Sequence, residues 1–193
     1  MATAPDNGSS RLWRGMRALI FGDDGERTLR EEIEEAIDEA EGERPISGDL
    51  SPHERQMLRN LLHFGDRTAG AVAVTRGEII AVPDTIPFDD LAAAFAEAGH
   101  SRLPVYQGSL DHVVGMIHIK DVFVAGRDPS IDRSMSALMR TPIFVPESMG
   151  VLELMARMRS ERIHLAIIVD EFGGTEGLVT IEDVVEEIVG EIE

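Results

Sequence analysis

The sequence predicts a mixed α/β (α+β) protein in which two similar β-α-β-β-α repeats form a pseudo-twofold pair, preceded by an acidic helical arm. Three observations support this prediction. The second part of the chain matches itself, short apolar runs alternate with amphipathic helical patterns in both copies, and an acidic stretch with two helix-start signals precedes them. A chain of 193 residues is long enough for two such repeats to share one core.

Composition restricts the function. The 18 basic residues stand against 36 acidic ones, for a formal net charge of −18, which argues against a nucleic-acid binder because such proteins need a basic surface. The chain has no cysteine, which excludes disulfides, thiolate metal sites and cysteine nucleophiles. No apolar run reaches the roughly 18 to 20 residues of a transmembrane helix, and no signal-peptide pattern is present, so we expect a cytoplasmic protein.

The region 1–25 is expected to be a disordered start followed by a basic amphipathic segment. Residues 1–10 are small and polar. The segment Arg11–Phe21 has the pattern of a short helix with arginines on one side and apolar residues, including Trp13, on the other. Two interpretations stay open: peripheral contact with an anionic membrane surface, or docking on a neighbouring domain or subunit.

The region 26–65 is the acidic helical arm. Thr28-Leu-Arg-Glu31 is a capping-box pattern and predicts a helix to about Glu41, whose acidic outer face is typical of a solvated surface. Ser51-Pro-His-Glu54 repeats the start signal and predicts a second helix that ends near Gly65. The residues expected to face inward are Leu29, Ile33, Ala36, Ile37 and Ala40 in the first helix and Met57, Leu58, Leu61 and Leu62 in the second.

An internal repeat defines the rest of the chain. Gly115–Val122 aligns with Gly177–Val184, and Val82–Thr85 aligns with Val145–Ser148. In each copy we expect a strand, a Pro-acid-Thr/Ser helix start, a helix, two further strands and a closing helix that begins at an Asp. The predicted elements are Glu78–Val82, Phe88–Ala98, Leu103–Tyr106, Val113–Ile117 and a helix from Asp121 in repeat 1 (66–128), and Pro142–Val145, Val151–Arg159, His164–Val169, Gly177–Val179 and a helix from Asp183 in repeat 2 (129–193).

This repeat, with its closing Gly-apolar-apolar-Thr-x-x-Asp segment, resembles the CBS domain pair, or Bateman module. Asp170–Ile192 is similar to the signature of the CorC/HlyC-type magnesium and cobalt efflux proteins, and His100–Tyr106 is similar to the Ser-Arg-x-Pro-Val run of that family. With the acidic arm, the resemblance spans roughly residues 26 to 192. Family members usually continue into a transporter-associated domain, and many carry a membrane domain before the arm, so the sequence resembles a stand-alone form.

The resemblance implies that an adenine nucleotide, AMP or ATP, binds as a regulatory ligand between the two copies. Asp183 can accept hydrogen bonds from both ribose hydroxyls, and the helix that follows Thr180 offers free backbone N–H groups to an anion. The planar guanidinium of Arg102 suits a phosphate, and a strand Thr75–Ile80 can cover the adenine. The predicted main site comprises Thr75, Ile79, Ile80, His100, Ser101, Arg102, His164, Thr180 and Asp183.

The residues themselves leave alternatives open. Thr180-x-x-Asp183 is also a helix capping box, so a ligand-free dimerisation module of the same fold is the alternative to a nucleotide sensor. Glu182 can hold a hydrated Mg²⁺ through outer-sphere contacts, or it can belong to a solvated helix face. A weaker, mirrored nucleotide site is predicted at His118, Asp121 and Ile143, with His118 at the position of the second-copy Thr.

No catalytic motif is found in the sequence, which has no P-loop, no Gly-x-Ser-x-Gly elbow and no His-Glu-x-x-His. We therefore expect a regulatory module, not an enzyme, that reports nucleotide or Mg²⁺ status to a membrane transporter partner. The helices carry more apolar residues than one sheet face can cover, and the resemblance implies that modules pair through them as a homodimer. The clearest such residues are Phe88, Leu91, Phe95, Leu152, Met155 and Met158.

Overall fold

The computed structural model describes residues 28–42 and 50–190. The predicted disordered start and the basic segment Arg11–Phe21 lie outside the described residues, so both stay predictions. The chain divides between Arg55 and Gln56 into two compact units. Among the helices of the described ranges, none is long and apolar enough to cross a bilayer.

Helix α1 spans Leu29–Gly42 and begins at the predicted capping box. The backbone N–H of Thr28 donates to Glu31 Oε2 at 2.8 Å, and the N–H of Glu31 donates to Thr28 Oγ1 at 3.3 Å. Ile37 is buried as expected, but Leu29 and Ala36 are exposed, so their inward placement was wrong. The buried face of α1 is therefore narrower than its apolar stripe. Leu29 is the first residue of the helix and lies two turns before the buried Ile37.

Helix α2 spans Pro52–Phe64, and its predicted capping box is formed, with the N–H of Ser51 donating to Glu54 Oε2 at 2.7 Å. Phe64 is fully buried, whereas Leu61, which was expected to face inward, is 52% exposed. Asn60 Nδ2 donates to the carbonyl of Ile188 at 3.2 Å and so fixes which side of α2 faces the protein. Leu61 is turned about 100° around the helix from Asn60 and therefore lies outside that contact.

Both repeats fold as β-α-β-β-α, which confirms the predicted fold class. Repeat 1 also has a short strand before these elements, flanked by two 3₁₀ turns (Ala69–Val72 and Arg76–Glu78), and repeat 2 has a short helix before them. In chain order the elements are β1 Val74–Thr75, β2 Val82–Pro83, α3 Phe88–Ala98, β3 Arg102–Tyr106, β4 Val113–His118, α4 Ile119–Arg127, α5 Met135–Leu138, β5 Ile143–Pro146, α6 Val151–Glu161, β6 Leu165–Val169, β7 Thr175–Thr180 and α7 Ile181–Val189.

Several predicted boundaries are corrected. Of the strand predicted at Glu78–Val82, only Val82 lies in a strand (β2), and Glu78 belongs to the 3₁₀ turn Arg76–Glu78. The same turn interrupts the strand predicted at Thr75–Ile80. The Pro-acid-Thr/Ser segments form turns, and α3 and α6 begin after them. The closing helices α4 and α7 begin two residues before their Asp, which places Asp121 and Asp183 in the first helical turn.

The strands form two sheets, one ordered β2-β3-β4 and the other β1-β7-β6-β5. Strand β1 lies in the first part of repeat 1, before β2, yet it pairs antiparallel with β7 of repeat 2, with Val74 opposite Leu178. In the other sheet, an isolated bridge joins Met116 of β4 to Arg140. Each sheet therefore receives a segment from the first part of the other repeat, which gives the pair its pseudo-twofold character.

Three apolar clusters hold this arrangement together. Two lie between each sheet and its own helices, and a third lies between the two sheets. Leu91, Phe95 and Met158, which were expected to support pairing of two copies, are 1% exposed and belong to the helix-facing clusters. That part of the expectation was wrong, because these side chains of α3 and α6 pack against the sheet of their own repeat and are not available to a second copy. Leu152 is 50% exposed and remains at the surface.

Candidate functional site

A cleft of about 360 Å³ has residues of both repeats in its walls. One wall comes from the chain just before β2 and from the segment that enters β3. The other comes from β7 and the start of α7. Most of the predicted main site lines this cleft, namely Ile79, Ile80, His100, Ser101, Arg102, Thr180 and Asp183.

The other two predicted residues, Thr75 and His164, do not line the cleft, but each contacts a residue that does. Thr75 Oγ1 donates to Glu78 Oε2 at 2.9 Å, and Glu78 lines the cleft. His164 Nδ1 lies 3.2 Å from Arg102 Nη2. Glu78 was missed at the sequence level. Its only signal was a carboxylate three residues after a Thr, and the 3₁₀ turn that brings it to the cleft was not predicted.

Asp183 and Thr180 form the capping box at the start of α7. The N–H and the Oγ1 hydroxyl of Thr180 donate to Asp183 Oδ2 at 2.7 and 2.8 Å, and the N–H of Asp183 donates to Thr180 Oγ1 at 3.3 Å. These capping bonds engage Oδ2. Because a carboxylate accepts hydrogen bonds on both oxygens, capping is compatible with accepting a ligand hydroxyl at Oδ1.

Arg102 bridges the two repeats at the floor of the cleft. Besides His164, its guanidinium meets Glu182, with 3.3 Å between Arg102 Nη1 and Glu182 Oε1. The Arg102 side chain is 18% exposed, but that of Glu182 is 62% exposed, so solvent screens this pair. A phosphate can therefore replace Glu182 as the partner of Arg102 at small cost.

The lining of the cleft is acidic on balance. Arg102 is its one arginine, against the carboxylates of Glu78, Glu182 and Asp183. Such a lining suits the apolar and hydroxyl-bearing parts of a nucleoside. It opposes a highly charged polyphosphate unless a cation accompanies that group.

The mirrored positions of repeat 1 are arranged differently. His118 Nδ1 accepts from the N–H of Lys120 at 3.0 Å and so caps α4. Burial, and next the positive charge of Arg102, lower the pKa of His118 below its ordinary value. Asp121 is held by Arg140 through both oxygens, at 2.8 and 2.9 Å. The Ile143 side chain is 1% exposed and packs in the core of repeat 2.

Two β-α-β-β-α repeats related by a pseudo-twofold axis, with a cleft that residues of both repeats line, define the class as a CBS domain pair, a binding module. The CBS domain family matches residues 70–128 and 135–190. The CBS domain of the bacterial CNNM/CorC family Mg²⁺ transporter is 38% identical, with 86% of this chain and 99% of that chain covered and a TM-score of 0.73. Its structure in complex with ATP is 39% identical, with 73% and 100% covered and a TM-score of 0.64.

A "Hemolysin C homolog" of Rickettsia rickettsii is 47% identical over 141 residues, which are 72% of this chain and 47% of that protein. The chain therefore belongs to the CBS domain family, and its CBS pair is related to those of the CorC/HlyC and CNNM/CorC proteins. It spans about half the length of the curated relatives that it matches.

Proposed function

We propose that this CBS pair is a regulatory module that binds AMP or ATP in the Arg102–Asp183 cleft and reports nucleotide or Mg²⁺ status to a membrane transporter partner of magnesium and cobalt efflux. The observation that carries the proposal is that Arg102, whose guanidinium suits a phosphate, and Asp183, whose Oδ1 suits a ribose hydroxyl, line one cleft. The related CBS domain in complex with ATP supports it. The module acts as a binding protein and not as an enzyme.

The nucleoside is recognised by contacts from both walls. Asp183 accepts the ribose hydroxyls, while its other oxygen keeps the cap with Thr180. Ile79 and Ile80 provide apolar contact for the adenine. Ile80 is 48% exposed, and binding would bury part of that apolar surface. Thr75 acts through Glu78, which it positions at the rim.

The phosphates are bound by Arg102, with His100 and Ser101 beside it. His164 orients the guanidinium, and the phosphate replaces Glu182 as its partner. Glu182 is then available to a hydrated Mg²⁺, which would offset the charge of a triphosphate in this acidic cleft. The lining therefore favours AMP without metal, or ATP together with Mg²⁺.

The signal is expected to leave the cleft through α7, whose first turn contains Asp183. Two contacts tie the far half of α7 to the α2 side of the repeats. Arg67 Nη1 lies 2.8 Å from Glu187 Oε2, and Asn60 Nδ2 donates to the carbonyl of Ile188. A ligand that shifts or stiffens the start of α7 thus acts on residues that connect to α2.

The structural alternative is a homodimerisation module without a ligand. Leu152 is exposed on α6, and an apolar cleft of about 430 Å³ between α6 and α7 is lined by Met155 and Ile181 among others. We propose that the protein pairs through this α6–α7 surface. Light scattering that gives the mass of a monomer at tens of micromolar would argue against such pairing.

Calorimetric titration with AMP, ADP and ATP, each with and without Mg²⁺, tests the nucleotide proposal. We expect AMP to bind without metal and ATP to bind more tightly when Mg²⁺ is present. The absence of both heat and thermal stabilisation with every nucleotide would favour the structural alternative. Release of phosphate from ATP during the titration would contradict the assignment as a binding module.

A further inference from the structure

We infer that Arg140 closes the mirrored cleft at Asp121 by binding that carboxylate, so that each chain binds one nucleotide. The inference rests on the proposed nucleotide site at Asp183 and adds the residue that makes the two clefts unequal. Three features of the mirrored cleft carry it: the position of Arg140, its contact with Asp121, and the cap that His118 provides.

The position of Arg140 follows from the pseudo-twofold relation. Met116 is the counterpart of Leu178, because Gly115–Val122 aligns with Gly177–Val184. Leu178 pairs with Val74, which lines the nucleotide cleft. Met116 pairs instead with Arg140, through two backbone hydrogen bonds of 2.8 Å. Arg140 therefore stands where the other cleft has Val74, and its backbone is anchored there.

The contact with Asp121 uses the atoms that a ribose would need. Arg140 Nη2 donates to Asp121 Oδ1 at 2.8 Å and Arg140 Nε donates to Oδ2 at 2.9 Å. This is the bidentate geometry in which an arginine binds a carboxylate most strongly. Both oxygens of the mirrored carboxylate are thus engaged by the guanidinium, whereas the capping bonds of Asp183 engage Oδ2.

Repeat 1 has His118 at the cap position where repeat 2 has Thr180, and this difference explains why Asp121 is available to Arg140. In repeat 2, Asp183 bonds back to the cap residue Thr180. In repeat 1, His118 caps α4 through its own Nδ1, which accepts from Lys120. Asp121 is therefore released from the capping role and is bound by Arg140 instead.

Removal of the guanidinium should open the mirrored cleft. The stoichiometry of AMP and of ATP with Mg²⁺ is measured by calorimetry for the wild type, Arg140→Ala, Asp183→Asn and the double variant. We expect one nucleotide per chain for the wild type, two for Arg140→Ala, none for Asp183→Asn, and one for the double variant. Adding Asp121→Asn to the double variant should abolish that remaining binding.

Arg157→Ala is the matched control, because Arg157 also pairs with a carboxylate at a similarly exposed position, with Nε 2.7 Å from Glu161 Oε1. It should leave the stoichiometry at one. Near-ultraviolet circular dichroism checks the fold, and Arg140→Gln replaces Arg140→Ala if the latter does not fold.

The outcomes separate this inference from the proposed function. A wild type that binds one nucleotide, together with an Arg140→Ala variant that still binds one, would overturn the inference and leave the proposed function intact. Loss of binding in the Arg140 variant would show that Arg140 holds phosphate instead, which also overturns it. If neither the wild type nor the variant binds, both proposals fail.

Discussion

Nη2 of Arg102 lies 3.2 Å from Nδ1 of His164, so the first residue of β3 in repeat 1 contacts the residue just before β6 in repeat 2. His164 is the counterpart of Ser101, because the carbonyls of both accept from the first residue of the closing helix, so two residues that are not equivalent in the repeats make this contact. Repeat 1 supplies the cation and repeat 2 supplies the imidazole that orients it. The cleft that Arg102 lines carries the proposed nucleotide site, and the mirrored positions carry the Arg140–Asp121 pair.

Arg102→Ala is expected to weaken ATP binding about 10- to 100-fold, because a hydrogen bond to a charged group contributes about 1.5–3 kcal/mol. Adenosine has no phosphate, so its affinity should change much less. Calorimetry with both ligands measures the difference, and Arg159→Ala is the control because Arg159 lines the α6–α7 cleft. An equal loss for adenosine and ATP would mean that Arg102 supports the shape of the cleft and does not bind phosphate.

Asp183→Ala should lower the free energy of unfolding by about 1 kcal/mol, since it removes a helix cap. A ligand at a hundredfold excess over its Kd stabilises the wild type by about 2.7 kcal/mol, or roughly 5 to 10 °C in Tm for a chain of this size. We expect Asp183→Ala to lose most of this nucleotide-dependent rise and Asp121→Ala to keep it. A variant that melts lower yet keeps the full rise would show that Asp183 is only a cap.

The stability should depend on pH through His118. Its pKa in the folded protein is lowered by burial first and then by the charge of Arg102; Lys120 and Arg140 lower it further, while Asp121 opposes them. Because the unfolded chain keeps a pKa of about 6.5, it takes up the proton first as the pH falls, and folded stability decreases.

The contribution of neutral His118 to folded stability is therefore complete above about pH 6.5. It is lost as the pH falls towards the lowered pKa of His118 in the folded protein. Protonation also removes the Nδ1 acceptor that caps α4. His118→Asn keeps a capping side chain without a titrating group, so the decrease between pH 7 and 5 should be smaller. Urea unfolding measures this, and His112→Asn, at an exposed histidine, is the control. An unchanged pH dependence in His118→Asn would contradict the prediction.

Arg162→Gly should stabilise the protein by up to about 1 kcal/mol, or roughly 2 to 4 °C in Tm. Arg162 ends α6 in the left-handed region, with φ of 56°, and Gly99 ends α3 in the same way with φ of 69°. Glycine adopts this conformation without the steric penalty of a Cβ. The matched variant Gly99→Ala should destabilise by a similar amount, and a lower Tm for Arg162→Gly would mean that contacts of its side chain outweigh the strain.

The sequence by itself determined the features that depend on neighbouring residues. The repeat was visible because the same alternation of strand and helix patterns occurs twice, and the caps at Thr28, Ser51 and Thr180 were visible because their partners lie three residues away. The main-site residues came from the resemblance to the CBS domain pair, and seven of the nine line the cleft.

The tertiary structure decided which faces are covered and which distant segments meet. Leu61 and Leu152 are exposed while Leu91 and Phe95 are buried, although all four belong to apolar helical stripes. The pairing of β1 with the sheet of repeat 2, the entry of Glu78 into the cleft, and the contact of Arg140 with Asp121 were not predicted. Periodicity identifies an apolar face and spacing identifies a local hydrogen bond, but neither says which distant element will cover that face or supply the partner. That depends on how the two sheets pack, because the energy of burying apolar surface is gained only where a second surface is present.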